Sequence, residues 1–428
     1  MKALLKAPFA ALLALLARGI LVKYRPIVVM VTGSVGKTST KDAVAAALST
    51  KFHLRASEKS YNSEFGVPLT IMGAKNPWND PVAWIRVVGE ALALIFLPNH
   101  YPRLLVLEVG ADRPGDLRKI LQIATPDAVV VTRLPEVPVH VEAYESPAAV
   151  REEEFGPAYA LAPHAPLIIS ADDPFAKHLA SRLDVRVSTY GFASDADVML
   201  ANAALHMDEG RPAGMRADAR VGKTMHELLA SGALGRQQLY APAAALAAAL
   251  ALGLSAKEAL KGLEGYVAPP GRSRLLQGIS DSVIVDDTYN SSPAAVEEAL
   301  GSLSLIPAKR RIVILGDMLE LGRYSTQEHA RVGSAAALHA DIVIGVGARA
   351  RAITDAARTA GKGERDALHF ATSAEAADAV PALMRPGDAV LVKGSQGVRM
   401  ERITRALLKD AHDALRLVRQ EPQWLKKG

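Results

Sequence analysis

A glycine-rich segment near the start of the chain carries a lysine and several hydroxyl groups at a spacing that suits phosphate binding. It reads VTGSVGKTST over residues 31–40, after the β-branched run PIVVMVT and before an Ala-rich stretch with helical periodicity. We therefore expect a strand, a loop and a helix beginning near Lys37, with backbone N–H groups and the helix dipole directed at phosphate oxygens. Lys37 would meet the outer phosphates, and Thr38 would ligate Mg²⁺. The predicted nucleotide-binding residues here are Gly33, Ser34, Val35, Gly36, Lys37, Thr38 and Ser39.

The spacing of this loop is G-x-x-G-K-[ST], whereas the common nucleotide loop, G-x-x-x-x-G-K-[ST], would place a glycine at Val31. A second Gly-Lys-Thr, at residues 222–224, provides an internal comparison. That tripeptide lacks a preceding strand pattern and a second glycine, so we expect no phosphate site there. The prediction for the first segment depends on its context and not on the tripeptide alone.

Acidic and imidazole side chains follow two other strand-like runs in the first half of the chain. Glu108 ends LLVLE, and His140 lies a few residues beyond VVVTRL. Ligands gather at the carboxyl ends of strands in open α/β sheets, so Glu108 is well placed to hold Mg²⁺ near a triphosphate. A lone histidine is more often structural, and the three carboxylates at 152–154 would by default lie on the solvated face of a helix.

Polar groups also end strand-like runs in the second half. The string SVIVDDTYN places Asp287 and Asn290 at a strand end, and DAVLVKGSQGVRMER does the same for Lys393 and Arg399. Asn290 and Ser292 could cap the helix expected next. The second half therefore repeats the arrangement of the first.

Such residues need a scaffold of strands and helices, and apolar runs alternate with helical patterns over most of the chain. This alternation predicts an α/β protein with mostly parallel sheets. Helices are expected over about 37–50, over 81–96 and after Asp173, and a weaker pattern between 195 and 235 predicts hairpins at a sheet edge. The Pro-Pro-Gly at 269–271 marks the predicted domain boundary. The predicted domains are 1–25, an apolar and basic helix; 26–268, a central P-loop ATPase domain; and 269–428, a Rossmann-like α/β domain.

Composition excludes several functional classes. The 428 residues include 50 Lys and Arg against 45 Asp and Glu, a net charge of +5 without a clustered basic patch, so we expect no nucleic-acid partner. Cysteine is absent, which excludes disulfides, thiolate metal sites and cysteine nucleophiles. This composition fits a reducing compartment, and we expect the protein in the cytoplasm.

The first 25 residues, MKALLKAPFAALLALLARGILVKYR, are apolar and basic. The uncharged run from Ala7 to Ala17 is far shorter than the roughly 20 residues that span a bilayer. A cleaved leader is also not expected, because the run continues directly into the strand before the phosphate loop. Two interpretations stay open, namely a helix packed on its own protein and a helix in the inner membrane interface.

Taken together, these strings closely resemble the Mur ligase family of ATP-dependent acid:amino-acid ligases, and within it the ligases that add D-alanyl-D-alanine to a UDP-linked muramoyl tripeptide. The spacing of the loop is that of the family, so a valine at position 31 does not argue against nucleotide binding. The matching strings, in family order, are TGSVGKTSTKD, YNSEFGVPLTI, LEVGADRPGDL, HVEAY, SADDP, DDTYNSSPAAV, LGDMLELG and LVKGSQGVRMER.

The resemblance implies that the γ-phosphoryl group of ATP passes to a substrate carboxylate and that an amine then attacks the acyl phosphate. It also implies that Thr38 and Glu108 hold one Mg²⁺ and that His140 helps to hold a second. Asp287 and Asn290 match family residues near the nucleotide. The predicted catalytic residues are Lys37, Glu108, His140, Glu154 and Lys393, and the predicted metal ligands are Thr38, Glu108, His140 and Glu154.

Three departures from the family pattern bear on function. The family normally opens with a domain that binds the UDP end of its substrate, and here an apolar and basic stretch stands in its place. The acceptor could therefore be lipid-linked instead of UDP-linked. Alternatively, a partner protein could supply the missing domain. A family lysine that becomes carbamylated aligns with Glu154, whose carboxylate would serve without carbon dioxide; Glu152 or Glu153 would serve if the helix were shifted. The family's HNxxNA reads QQLYAP here, so an asparagine near the base is replaced by Ala241.

We therefore predict an ATP- and Mg²⁺-dependent amide ligase of peptidoglycan precursor synthesis. It would join D-alanyl-D-alanine or a similar amine to a muramoyl-peptide acceptor, either a small molecule or lipid-linked, in the cytoplasm or at the inner face of the membrane. Two alternatives remain at this point. One is a ligase for a polyglutamate, folate or cyanophycin-type amide, and the other is a non-catalytic ATP-binding membrane scaffold.

Overall fold

The computed structural model describes residues 3–58, 61–78, 80–136, 138, 140–420 and 424. The chain forms two compact units that interleave in sequence. The first contains Met1–Asn202, Asp218–Leu228 and Tyr240–Tyr266. The second contains Ala203–Ala217, Leu229–Leu239 and Val267–Gly428.

The first part of the chain alternates strands with helices, as the apolar pattern predicts. Its elements are α1 (Ala3–Tyr24), β1 (Ile27–Thr32), α2 (Lys37–Leu48), β2 (Leu54–Ala56), α3 (Gly66–Met72), α4 (Pro81–Phe96), β3 (Leu104–Glu108), α5 (Asp116–Leu121), β4 (Ala128–Val131), α6 (Pro147–Tyr159), β5 (Pro166–Ser170), α7 (Pro174–Ala180), β6 (Arg186–Gly191), β7 (Val198–Asp208), β8 (Arg211–Val221), β9 (Thr224–Ser231), α8 (Tyr240–Ala251) and α9 (Ala256–Leu263). Helices at 37–48, 81–96 and 174–180 confirm those predicted from the sequence.

The first nine strands form one sheet in the order β2-β3-β1-β4-β5-β6-β7-β8-β9. Pairing is parallel from β2 to β7. Two-residue connections join β7 to β8 and β8 to β9, which makes these neighbours antiparallel hairpins at the sheet edge. The hairpin prediction is confirmed, although the strands are longer than the weak pattern indicated. The second Gly-Lys-Thr contributes Gly222 and Lys223 to one of these tight turns and Thr224 to the start of β9.

The remaining elements form a second α/β layer structure. They are β10 (Arg274–Gln277), β11 (Val283–Asp287), α10 (Pro293–Leu303), β12 (Arg310–Gly316), α11 (Ser325–His339), β13 (Ile342–Val346), α12 (Arg351–Thr359), β14 (Ala367–Phe370), α13 (Ser373–Ala379), β15 (Asp388–Lys393) and α14 (Glu401–Leu407). Their sheet has the order β10-β11-β15-β12-β13-β14 and is parallel except for β10. The chain therefore has the mixed α/β fold that the sequence predicts.

Each sheet has its own apolar core. In the first unit Met30, Leu105, Leu107 and Phe155 are buried between strands and helices. Helix α1 joins this core through Leu13, Leu16, Ala17 and Ile20, all buried at helical spacing, and it continues through Pro8. In the second unit Ile312, Ile344, Val390 and Leu407 are buried. The cores fix the strand ends at which the polar side chains lie.

Candidate active site

The phosphate loop connects the end of β1 to the start of α2. Gly33 and Gly36 have φ angles of 115° and 88°, in the left-handed region that glycine adopts without strain. A Cβ on Gly33 would lie 2.4 Å from Thr132 Oγ1, so the close approach of β4 also requires glycine. Gly36 is the N-cap of α2 and has no side chain to cap it, so the first N–H groups of the helix are available to an anion.

The lysine of the loop lies over the loop itself. Lys37 Nζ donates a hydrogen bond of 2.5 Å to the Gly33 carbonyl, four residues back. A Cβ added to Gly110, just after β3, would lie 3.3 Å from Lys37 Cε and 3.1 Å from Asn62 Nδ2. The amine is therefore held between the loop and the carboxyl end of β3, where a triphosphate bound to the loop would meet it.

A hydroxyl and a carboxylate that suit Mg²⁺ are adjacent at this strand end. Thr38 Oγ1 donates to Glu108 Oε1 at 3.2 Å, and Glu108 is only 2% exposed. Mg²⁺ in phosphoryl-transfer sites is commonly held by one or two protein oxygen ligands together with phosphate and water oxygens. The two side chains fit such an ion. The described residues contain no group of three or more His, Cys, Asp or Glu side chains arranged to hold a metal.

Glu154 lies directly against the phosphate loop. The Ser34 hydroxyl donates to Glu154 Oε2, and Thr32 Oγ1 donates to the Glu154 carbonyl at 2.6 Å. Burial raises the pKa of Glu154, although Lys37, Ser34 and His140 act in the opposite direction. Ser146 fixes the start of α6 by accepting a hydrogen bond from Ala149 N–H, and so sets which carboxylate of the helix faces the loop.

The other two carboxylates of the same triplet point elsewhere. Glu153 Oε1 accepts hydrogen bonds from the N–H groups of Gly115 (3.0 Å) and Leu117 (3.1 Å) at the start of α5. Glu152 pairs with Arg182 at 3.0 Å on the surface. Among 152–154, Glu154 is therefore the residue at the loop, and a shifted helix is not needed to bring a carboxylate there.

His140 lies near this cluster, within electrostatic reach of Glu154. It adopts a left-handed φ of 63°, and its Nε2 lies 3.7 Å from Asp112 Oδ1, a residue beyond β3. The interaction with His140 is one of those that lower the pKa of Glu154. Of the predicted metal ligands, Thr38 bonds Glu108 and Glu154 bonds Ser34 of the loop, whereas His140 lies next to Asp112.

A buried lysine that the sequence did not single out supports Glu108 indirectly. Lys41 is 2% exposed, pairs with Asp42, and its Nζ donates to the Ser57 carbonyl at 2.6 Å. Ser57 Oγ in turn accepts a hydrogen bond of 3.1 Å from the Glu108 N–H. The signal available in the sequence was a second lysine one turn beyond Lys37, but its acceptor lies in another element.

In the second unit, the predicted residues form a separate polar cluster at the ends of β11 and β15. Lys393 Nζ donates to Asp287 Oδ2 at 2.7 Å and to the Asn290 carbonyl at 2.9 Å, and Asp287 Oδ1 accepts from Ser273 N–H at 3.1 Å. Ser292 is the N-cap residue of α10 but makes no capping hydrogen bond, and Asn290 bonds Ser291 instead. Ser292 therefore occupies the N-cap position, but the prediction that Ser292 and Asn290 cap the helix with their side chains is wrong.

Arg399 and a neighbouring carboxyl complete this cluster. Arg399 Nε donates to Glu401 Oε1 at 2.6 Å, and the buried Arg419 binds Glu401 Oε2 at 2.7 Å. Asp286, next to Asp287, is fully buried and accepts hydrogen bonds on Oδ1 from Thr288 and Thr404. Burial raises the pKa of Asp286 to about 6.

A phosphate loop between a parallel strand and a helix, with a strand-end carboxylate bonded to its threonine, defines a P-loop nucleotide-binding protein. Residues 31–249 match the Mur ligase middle domain, and residues 271–396 match the domain described as Mur ligase, glutamate ligase domain. The chain therefore belongs to the Mur ligase family, whose members are ATP-dependent, ADP-forming ligases.

Named relatives agree with this assignment. The chain is 27% identical over 384 residues to the UDP-N-acetylmuramoyl-tripeptide–D-alanyl-D-alanine ligase of Bacillus subtilis, covering 89% of this chain and 76% of the relative. It is 28% identical over 390 residues to the Escherichia coli protein of the same name, with the same coverage of 89% and 76%. The MurF ligase of Thermotoga maritima, solved in complex with ADP, is similar at a TM-score of 0.75 and 26% identity, covering 95% of this chain and 84% of that one.

Proposed function

We propose that this protein joins D-alanyl-D-alanine to the terminal carboxylate of a muramoyl tripeptide, converting ATP to ADP and phosphate. The observation that carries the proposal is the contact set around the loop, in which Thr38 bonds Glu108 and Ser34 bonds the buried Glu154. A protein that only bound nucleotide would need the loop but not a carboxylate held out of water beside it. The names of the relatives supply the reaction.

In the first step, a substrate carboxylate oxygen attacks the γ-phosphorus of ATP, the bond to the β-phosphate oxygen breaks, and ADP leaves. The loop N–H groups and Lys37 hold the phosphates and neutralise charge on the transferred group. Thr38 and Glu108 would hold Mg²⁺, which would neutralise negative charge on the phosphates. Catalysis in this step is mainly positioning, which suits a rigid loop.

In the second step, the free amine of the dipeptide attacks the acyl carbon, and inorganic phosphate leaves with the electrons of the acyl–oxygen bond. The proton that the amine loses as the amide forms passes to the departing phosphate. We propose that Glu154, which accepts a hydrogen bond from Ser34 of the loop and interacts with Lys37, supplies negative charge next to the loop when it is ionised. His140 would complete that side, as the family resemblance implies.

The cluster of the second unit is proposed to bind nucleotide through Asp287 and Asn290. Lys393 holds both residues, since its amine bonds the Asp287 carboxylate and the Asn290 carbonyl. Lys393 would therefore position Asp287 and Asn290. A direct contact between Lys393 and the reacting atoms remains a prediction.

The acceptor is a small muramoyl peptide, and its carrier is proposed to be UDP or a lipid. We place the reaction in the cytoplasm, where ATP is supplied, and at the inner face of the membrane if the carrier is a lipid. In the part of the chain that the structure describes, no helix has the length and apolar character needed to cross a bilayer.

The test is phosphate release by the purified protein with Mg²⁺-ATP and D-alanyl-D-alanine, given either UDP-muramoyl tripeptide or its lipid-linked counterpart. We expect release with at least one acceptor and a loss of at least about a hundredfold in Lys37→Ala. Lys223→Ala is the matched control, because it removes the lysine of the second Gly-Lys-Thr, which forms a hairpin turn.

Phosphate release with either acceptor supports the proposed ligase activity, provided that Lys223→Ala retains it. Activity with UDP-muramoyl tripeptide identifies a soluble acceptor, and activity confined to the other form identifies a lipid carrier. ATP binding without release for either acceptor would contradict the proposal and favour a non-catalytic nucleotide-binding role.

A further inference from the structure

Helix α1 has one buried face and one exposed apolar face. Opposite its buried residues, Leu12, Leu15 and Val22 are 39%, 65% and 72% exposed. The helix contains lysine and arginine but no acidic residue. An apolar outer face is not required for packing on the core, because the buried face already provides that contact.

Helix α4 presents a second apolar stripe. Val82, Ile85, Leu92 and Phe96 recur at helical spacing and are 67%, 73%, 41% and 76% exposed. The inner side of α4 is buried through Val87 and Ala91. The stripe therefore faces away from the core, as that of α1 does.

The two helices pack side by side and run in the same direction. The rings of Phe9 and Trp84 meet at 4.9 Å near the helix starts. At the other end, Lys23 Nζ donates to the carbonyls of Leu94 (2.8 Å) and Leu97 (2.6 Å). The two stripes thus belong to one surface, here called the α1–α4 face, made of Leu12, Leu15, Val22, Val82, Ile85, Leu92 and Phe96.

A cationic cavity of about 450 Å³ opens where α1 ends and β1 begins. Arg25, Lys51 and Arg103 line it, and its described lining contains no acidic side chain. Lys51 is fixed by a 2.7 Å hydrogen bond to the Gly253 carbonyl, so one of the three charges is held in place. This cavity lies at the opposite end of β1 from the phosphate loop, because Ile27 lines it at the start of the strand and the loop follows the end.

We propose that the α1–α4 face docks onto an anionic lipid bilayer and that the cationic cavity takes lipid phosphate groups. Apolar side chains on a helix lying in the interface enter the acyl boundary, while neighbouring cations bind anionic headgroups. Charge complementarity selects this partner, because α1 and the cavity offer positive charge only, and on α4 the exposed Arg86 balances the exposed Glu90. A second copy of the chain would bring like charges together at the same place.

The test is co-sedimentation of the full chain with phosphatidylcholine vesicles, with and without phosphatidylglycerol. We expect binding that requires the anionic lipid. Ile85→Gln and Phe96→Gln should each weaken it about tenfold, the loss expected for one large apolar side chain. Leu338→Gln is the control, since Leu338 is 84% exposed on α11.

The cations are tested separately. Arg25→Gln and Arg103→Gln should each weaken binding roughly fivefold and reduce the preference for phosphatidylglycerol. Lys223→Gln, which removes one exposed positive charge in the β8–β9 turn, should leave binding unchanged. All these positions are exposed, and unchanged melting temperatures will verify that the variants fold.

Three results would each overturn the proposal. These are no binding to anionic vesicles, wild-type binding by both Ile85→Gln and Phe96→Gln, and a dimer in lipid-free buffer that Phe96→Gln dissociates. The last result would assign the face to contact between copies. Vesicle binding is measured without ATP or acceptor, so its failure is distinguishable from failure of the proposed ligase activity.

Discussion

Glu154 is a functional side chain whose burial opposes the stability of the fold. Its carboxylate is buried against the loop, and burial raises its pKa. A group whose pKa is higher in the folded than in the unfolded state stabilises the fold at low pH, and this contribution is lost as pH rises through the folded value. Ionisation of the buried Glu154 therefore costs stability as the pH rises.

The substitution Glu154→Gln tests whether this carboxylate contributes to activity while it lowers stability. We expect phosphate release to fall at least about a hundredfold because the charge beside the loop is gone. The melting temperature should equal or exceed that of the wild type at neutral pH, and the difference should shrink as the pH falls below the usual carboxyl range. Steady-state kinetics and thermal scans across pH measure the two effects.

Glu152→Gln is the matched control from the same triplet, because Glu152 pairs with Arg182 on the surface. It should keep its activity and show little change in pH dependence. Equal activity losses in both variants would show that α6, and not the buried carboxylate, accounts for the effect.

Asp286 provides a second pH-dependent contribution in the other unit. Its pKa is raised from 3.8 to about 6 by burial, so the neutral form is favoured in the folded state. The stability associated with that form is complete below about pH 4 and is lost between about pH 4 and 6, up to about 3 kcal/mol at 1.36 kcal/mol per unit. Asp286→Asn should flatten the unfolding free energy over this window.

Chemical denaturation at several pH values measures this change. Asp208→Asn, which alters an exposed carboxyl on β7, should leave the pH dependence as in the wild type. An unchanged slope in Asp286→Asn would mean that another group causes the loss.

At the scale of elements, the phosphate loop depends on two glycines for different reasons. Gly33 needs both its φ of 115° and the absent side chain, because a Cβ would lie 2.4 Å from Thr132 Oγ1. Gly36 needs only its φ of 88°, since a Cβ there would have nothing within 4 Å. Gly36→Ala should therefore cost roughly 1–2 kcal/mol, the strain of a left-handed alanine.

Gly33→Ala should be more destabilising than Gly36→Ala and should abolish detectable ATP binding, because β4 or the loop must move. Denaturation curves and ATP titrations of both variants distinguish the backbone strain of a left-handed alanine from the steric clash with Thr132. Equal destabilisation by the two substitutions would show that the contact with Thr132 relaxes without cost.

The strand, loop and helix at 27–48 were predictable because their signals are local: a β-branched run, glycines and an Ala-rich helix. The Lys41–Ser57–Glu108 chain of hydrogen bonds was not, because its members come from three different elements. The same holds for the pairing of α1 with α4, which joins Phe9 to Trp84. Periodicity predicts that a helix has an apolar face but not which distant element covers it.

For the whole molecule, the sequence suggested one boundary at 268/269, where a proline pair interrupts the helical pattern. The compact units are interleaved, because residues 203–217 and 229–239 belong with the second unit and 240–266 with the first. The bridge between Ala233 and Arg274 shows why, since it joins the segment that follows β9 to the first residue of β10. Pairings over such separations leave no local signal.

The placement of α8 and α9 late in the sequence has a consequence for biosynthesis. Tyr240, at the start of α8, bonds Asp172 at 2.8 Å, and a Cβ on Gly262 of α9 would lie 2.2 Å from the Ala46 carbonyl of α2. The nascent chain emerges with its phosphate loop about 200 residues before these helices, a delay of roughly 10 to 40 s at bacterial and eukaryotic elongation rates. During that interval the side of α2 on which α8 and α9 pack lacks its permanent cover.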